Sequence, residues 1–256
     1  MTQASDLLGL TRRGQLQAFF GAFTLFALLG EARADTQRIA PARWIDRQDE
    51  IARALKTGQI TALAWMTEVE RLAQEVDAHE LMATVNRARI TPAQPPETND
   101  PHKRFVRFID SDGAPRRLAY AAALFDFAPR NIITPHGHKH MVSAHMVVAG
   151  RFRIRNFDRI RDAGADAMII RPTRDYVAGP GSVSTMSSAR DNIHWFVPVG
   201  GPSTTFDVII SGLDPGEDDY EIRAIDPLGG RRMADGSIIA PVMDFADASR
   251  RYTADI

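Results

Sequence analysis

The sequence predicts a mainly β protein, a closed antiparallel barrel or sandwich that follows an N-terminal helical segment. Two patterns support this fold class. Apolar residues recur at helical spacing between about residues 41 and 89, and beyond residue 103 short apolar runs alternate with glycine and proline. A third observation indicates a functional site in the β part of the sequence. Four of the seven histidines lie in the stretch from His136 to His145.

Residues 1–34 are predicted to be an export signal. Arg12-Arg13 precedes an uncharged, mostly apolar run from Leu16 to Gly30, and a small-residue cleavage site ends at Ala34. The arginine pair resembles the twin-arginine export signal, with Gln15 where that signal usually has Phe, and an ordinary secretory signal is the alternative. The apolar run is shorter than the ~20 residues that span a bilayer, so we expect a periplasmic protein without a permanent membrane span.

Residues 35–98 are predicted to be a helical segment that packs on the barrel. Gly58 is placed to end the first helix, and Asp77 with Glu80 three residues later is typical of the start of a third. Four prolines between residues 91 and 101 indicate a linker. The apolar stripes of the first two helices are Trp44, Ile45, Ile51, Leu55, Leu63, Met66, Val69, Leu72 and Val76.

Residues 103–225 are predicted to form the barrel, and residues 226–256 a C-terminal tail that covers it. Residues 179–185, rich in glycine and serine, are interpreted as a turn, and residues 244–252 as a short helix. The predicted strands cover residues 105–109, 118–127, 132–135, 146–148, 152–155, 167–170, 193–197 and 205–210.

The His136-Gly-His138 pair favours a metal site. Alternate residues of a strand point the same way, so the two imidazoles are expected to point at one place. Neutral imidazole is the commonest protein ligand for a transition metal. The alternative is a solvated strand face that happens to be rich in histidine.

The stretch from Arg130 to Gly150 resembles the first motif of the cupin superfamily, Gly-x5-His-x-His-x3,4-Glu-x6-Gly. With His136-Gly-His138 as its His-x-His, Gly150 is the closing glycine and Ser143 stands where the motif has Glu. Arg130 stands at the opening glycine. The resemblance covers residues 103–225 and implies a cupin-type double-stranded β-helix barrel.

The resemblance also implies a third metal ligand on a later strand, and His194 is the candidate. A lone histidine in an apolar strand also fits a hydrogen-bonded core residue. His145 is assigned as the catalytic candidate, either an acid/base group or a fourth ligand, and the face on which it lies stays open. His140 is expected to lie behind the ligands or on the surface, and His79 and His102 to be solvated.

Three imidazoles without the motif's Glu would leave a divalent metal with its full charge and open positions, which suits Fe(II) and oxygen chemistry. Among cupins, an all-histidine site resembles that of the thiol dioxygenases. At the positions of the catalytic Tyr of cysteine dioxygenases and of the His two residues before it, this chain has Ser211 and Ile209. One divalent transition metal is therefore predicted, with Fe(II) favoured and Mn, Ni, Cu or Zn as alternatives.

The predicted function is that of an exported metal-binding cupin, an Fe(II)-dependent dioxygenase-like oxidoreductase acting on a small molecule. The alternatives are a non-catalytic periplasmic protein that binds a small ligand or metal, and a metal-dependent isomerase or lyase. A net charge of −1 without a basic run argues against nucleic acid, and the lack of cysteine excludes thiolate ligands and a cysteine nucleophile. The expected partners are a small-molecule substrate, the export machinery and, as an open alternative, a second copy in a homodimer.

Overall fold

The computed structural model describes residues 38–93, 99–214, 216 and 222–254, so the predicted export signal lies outside the described residues. The helices described are α1 (Pro41–Lys56), α2 (Ala62–Ala73), α3 (Ala78–Val85) and α4 (Phe245–Ala254). The strands described are β1 (Arg89–Ile90), β2 (His102–Arg107), β3 (Ala121–Phe127), β4 (Ile133–Gly137), β5 (Val142–Ala149), β6 (Phe152–Asp162), β7 (Ala167–Ala178), β8 (Val183–Ser187), β9 (Ile193–Pro198), β10 (Ser203–Ile210), β11 (Arg223–Ile225), β12 (Arg231–Arg232) and β13 (Ile238–Met243).

The three N-terminal helices form as the apolar spacing predicts. Gly58 ends the first with a left-handed φ of 72°, and the Asp77 carboxylate accepts hydrogen bonds from the first backbone N–H groups of α3. Leu63 was expected in the buried stripe but is 44% exposed. The buried Trp65 and Leu72 define the packed face of α2, and Leu63 lies about half a turn around the helix from both.

The strands form two antiparallel sheets with the orders β1-β2-β3-β10-β5-β8 and β11-β4-β9-β6-β7-β13-β12. When β3 to β10 are renumbered 1 to 8, the central orders become 1-8-3-6 and 2-7-4-5. These are the two four-stranded sheets of a jelly roll, so the predicted mainly β fold, a double-stranded β-helix with an N-terminal helical segment, is confirmed. An extra pairing of β11 with β13 closes six strands of the second sheet into a ring.

The first sheet is apolar on the face that meets the helices. Alternate residues of β5 and β10 pack there against buried side chains of α1 to α3, which explains why the helical segment covers this sheet. The sheet residues in this core are Ala122, Leu124, Val142, Ala144, Met146, Phe206, Val208 and Ile210.

A second core lies between the sheets and joins them at one end of the barrel. Aromatic rings dominate it, with Phe127 and Phe152 in edge contact at 4.8 Å between centroids. Its buried members are Phe127, Ile133, Val147, Phe152, Ile154, Ala178 and Phe196.

Two segments differ in detail from the prediction. Residues 179–185 contain a turn, but β8 already begins at Val183 and pairs with β5. Residues 226–256, expected as a covering tail, contribute β12 and β13 to the second sheet, where β13 pairs with β7. Among the described residues, no helix has the length and apolar character needed to cross a membrane.

Candidate metal centre

Two neighbouring strands of the second sheet bring the predicted ligands together. His136 on β4 and His194 on β9 are direct partners in the antiparallel register. Directly paired residues of adjacent strands have their side chains close on one face, so a separation of 58 residues in sequence becomes contact. His138 lies one residue beyond the end of β4 and still points to the same place.

The ring nitrogens of the three histidines converge. The Nε2 atom of His136 lies 2.8 Å from Nε2 of His138 and 3.3 Å from Nε2 of His194. One potential ligand atom from each residue lies within 4.8 Å of the others, so the group could hold a metal ion. Of the residues that sequence reasoning assigned to metal, the structure therefore places all three at one point.

Burial keeps the three imidazoles neutral. It lowers the pKa of His136 to about 4, against a smaller opposite effect of the hydrogen bond to the Thr134 carbonyl, and lowers the pKa of His138 to about 2. Burial also lowers the pKa of His194 well below its ordinary value, and the neighbouring histidines add to this effect. Neutral imidazole is the form that binds metal.

The arrangement of the three ring nitrogens is better explained by a shared cation than by hydrogen bonds among the rings. His136 donates from Nδ1 to the Thr134 carbonyl at 2.7 Å, so its Nε2 carries a single lone pair. That lone pair faces two other ring nitrogens and cannot accept well from both. A cation would instead accept one lone pair from each ring. In the described part of the chain, Nδ1 of His138 and of His194 has no hydrogen-bond partner.

His145 lies on the opposite sheet and faces the same interior. In β5 the residues Ser143 and His145 point inward, while the intervening Ala144 packs against the helices. His145 donates from Nδ1 to Asp207 at 2.6 Å, and its Nε2 accepts from the Ser143 hydroxyl at 2.9 Å. Because both ring nitrogens are engaged, this arrangement favours an acid/base role over a fourth ligand position.

Asp207 is a site residue that sequence reasoning missed. It is fully buried on β10 and is the direct register partner of His145. A signal was present in the sequence, because a carboxylate stands between the apolar residues Phe206 and Val208. Strand alternation predicts that such a residue faces away from the apolar side.

His140 lies in the turn before β5 and is not part of the three-histidine group. It adopts a left-handed φ of 54°, and its Nδ1 lies 3.7 Å from the Asp214 carboxylate. The chain therefore turns at His140, although the stretch from Lys139 to Ala144 contains no glycine or proline. His79 and His102 are exposed, as predicted.

The histidines line a cavity of about 400 Å³ between the two sheets. Its wall also contains Ser143, His145 and Asp207, and Phe245 at the start of α4 packs edge-on against His136 at 5.7 Å between centroids. A cavity of this size accepts a small molecule. The apolar part of the wall consists of Pro101, Phe105, Ala121, Phe125, Ile133, Met141, Ile209, Ile222 and Phe245.

Gly150 lies at a turn that leaves no room for a side chain. Its φ is 71°, and a Cβ atom there would collide with Ser203 and lie 2.6 Å from the carbonyl oxygen of Pro202. The close approach of the turn after β5 to the start of β10 therefore depends on the missing side chain.

No known protein-family model matches the chain, and no curated protein matches it. It is similar at 14% identity and a TM-score of 0.30 to a structure of DMSP lyases, over 45% of this chain and 50% of that one. It is also similar to a protein with a double-stranded β-helix domain from Klebsiella pneumoniae, at 14% identity and a TM-score of 0.31, over 47% and 80% of the two chains. A third similarity is to a sugar phosphate isomerase of the cupin superfamily from Silicibacter pomeroyi, at 12% identity and a TM-score of 0.34, over 60% and 88%. The chain thus spans half the length of the DMSP lyase structure that it matches.

Proposed function

We propose that this protein is an exported cupin oxidoreductase that uses Fe(II) and O₂ to oxidise a small molecule in the cavity between the sheets. One observation carries the proposal: three neutral imidazoles, two buried and one half-buried, converge at the cavity wall, and within the described residues no carboxylate joins their group. Three neutral ligands would leave a divalent cation its full charge, which favours binding of an anionic substrate group, and open coordination positions at which O₂ could bind.

In this proposal, residues on the two opposite walls of the cavity have different roles. His136, His138 and His194 would hold the metal, which would supply O₂ activation beside the substrate. The apolar wall would keep bulk water away from the bound substrate. On the other wall, His145 would hold or move a proton at Nε2 while Asp207 fixes its ring.

A metal-dependent isomerase or lyase is the second candidate. The observation in its favour is that His145, with Ser143 and Asp207, faces the same cavity as the three-histidine group. An acid/base group beside a Lewis acid is what proton abstraction next to a carbonyl requires.

Oxygen uptake by Fe(II)-loaded protein tests the proposal. We expect the wild-type protein to consume O₂ when it is offered small thiols and small organic acids, and a His194→Ala variant to consume none because it loses a ligand. A His102→Ala variant, changed at an exposed histidine on β2, is the matched control and should behave as wild type.

The other outcomes separate the alternatives. Metal-dependent conversion of a hydroxy acid or sugar acid without O₂ consumption would overturn the oxidase proposal in favour of an isomerase or lyase. Tight binding of such a compound with neither reaction would indicate a binding protein.

Export is tested on the N-terminus of the protein recovered from its native cells. We expect periplasmic protein that begins at Asp35, after cleavage following Ala34. Full-length protein confined to the cytosol would overturn this part of the proposal.

A further inference from the structure

Three polar residues outside the metal group form a continuous hydrogen-bonded chain. Ser143, His145 and Asp207 are at most 5% exposed, and all three line the cavity. Ser143 and His145 are two residues apart on β5, and Asp207 is the cross-strand partner of His145 on β10. The backbone pairing of two adjacent strands therefore fixes the relative positions of these three side chains.

The partners determine which atoms carry the protons. Asp207 can only accept when it is ionised, so the 2.6 Å contact places the imidazole proton on Nδ1 of His145. Nε2 then has a free lone pair and accepts the hydroxyl proton of Ser143 at 2.9 Å. This sequence of acceptor, imidazole and hydroxyl is the arrangement that draws a proton away from a serine oxygen.

The hydrogen-bonded residues Ser143, His145 and Asp207 line the same cavity as the three-histidine group. The ring of His145 lies against that of His194, with 4.9 Å between centroids, and Phe196 packs against both rings. A small molecule in the cavity can therefore contact the Ser143 oxygen and the three-histidine group together. In the described part of the chain, Oδ1 of Asp207 has no hydrogen-bond partner, so the buried carboxylate acts mainly on His145.

We propose that Ser143, His145 and Asp207 are a proton relay for a substrate that binds through an O–H or S–H group. The substrate proton passes to the Ser143 oxygen as the hydroxyl proton of Ser143 passes to Nε2 of His145. The resulting imidazolium lies beside the Asp207 carboxylate, and the substrate is left as an oxygen or sulfur anion beside the three histidines. The inference rests on the proposed metal function of those histidines and narrows the substrate to a small alcohol, enol or thiol.

Nitrogen NMR of the His145 ring in metal-free and Zn(II)-loaded protein tests the relay without any activity. We expect a proton on Nδ1 with a strong downfield shift, because it is donated to a buried carboxylate. Asp207→Asn should remove that resonance, whereas Ser143→Ala should keep it and shift Nε2. Asp175→Asn, which changes an exposed carboxylate on β7, is the matched control and should leave the ring unchanged.

A proton on Nε2 in the wild-type protein, or an unchanged ring in Asp207→Asn, would overturn the relay. Either result would leave the metal proposal standing, since that depends on other residues. Conversely, a wild-type protein that binds no metal or consumes no O₂ would overturn the proposed function. The resonances of the His145 ring would still test the relay in that case.

The compound that gives wild-type O₂ uptake provides the second readout. We expect Ser143→Ala and Asp207→Asn to lower kcat by about 10²–10⁴-fold, the usual contribution of acid/base catalysis, with metal content unchanged. Ser143→Thr keeps a hydroxyl and should recover part of the rate, which a purely structural role would not predict. Equal losses of metal and of rate in Ser143→Ala would contradict the relay.

Discussion

The two sheets hold their histidines in opposite ways. On the second sheet, His136 and His194 are paired across strands with each other, and their Nε2 atoms meet without an acidic partner in between. On the first sheet, His145 is paired with Asp207 and has both ring nitrogens engaged. The same residue type therefore has two different sets of hydrogen-bond partners within one cavity.

The difference lies in the cross-strand neighbour. A histidine opposite another histidine keeps a neutral ring with a lone pair directed at a common point, as a metal ligand requires. A histidine opposite a buried carboxylate has a defined tautomer and a restrained ring, as an acid/base group requires. Strand register, more than the histidine itself, thus determines which partner each ring meets.

The largest effect is expected from removing the carboxylate that anchors the first sheet's histidine. Asp207→Ala should lower the free energy of unfolding by about 1–3 kcal/mol, because it leaves the buried Nδ1–H of His145 without its acceptor. Urea unfolding measures this value. Asp175→Ala, which breaks an exposed ion pair, should cost less than about 1 kcal/mol. Similar losses in the two variants would remove the contrast between buried and exposed carboxylates.

The next largest effect is expected on the second sheet. His136→Ala should weaken Zn(II) binding by at least about 100-fold, more than the loss of an outer hydrogen-bond partner usually costs. Titration calorimetry with Zn(II) measures the change, with His102→Ala as the control. Stoichiometric binding of unchanged affinity in His136→Ala would show that the three rings do not form a metal site.

A smaller effect should follow from shortening the hydrogen-bonded chain on the first sheet. Ser143→Ala removes one hydrogen bond to His145 and should lower the free energy of unfolding by about 1 kcal/mol. Zn(II) affinity should stay unchanged, because Ser143 lies on the other wall of the cavity. A clear fall in Zn(II) affinity would show that the two walls are not independent.

The smallest effect is expected at the histidine that belongs to neither group. His140→Asn should change the free energy of unfolding by less than about 0.5 kcal/mol and leave Zn(II) binding unchanged. Asn adopts the left-handed conformation of this turn readily, and the 3.7 Å contact with Asp214 is on the surface. Loss of Zn(II) in this variant would extend the metal group beyond three residues.

Local patterns predicted the elements that local physics controls. Helix spacing and capping residues predicted α1 to α3, and short apolar runs separated by turn residues predicted the β architecture. Leu63 and β8 show the limit of this approach. The buried face of α2 and the start of β8 depend on what packs against them, which spacing along the chain does not specify.

The sequence by itself determined a β barrel with an N-terminal helical segment and a His-x-His pair suited to metal, since both depend on periodicity along one stretch of chain. Only the tertiary structure decided which way His145 faces and that Asp207 holds it. His136 meets His194 across 58 residues and His145 meets Asp207 across 62, so both contacts are set by the register of paired strands. Register comes from the packing of whole sheets, because a shift of one residue would turn each of these side chains to the other face.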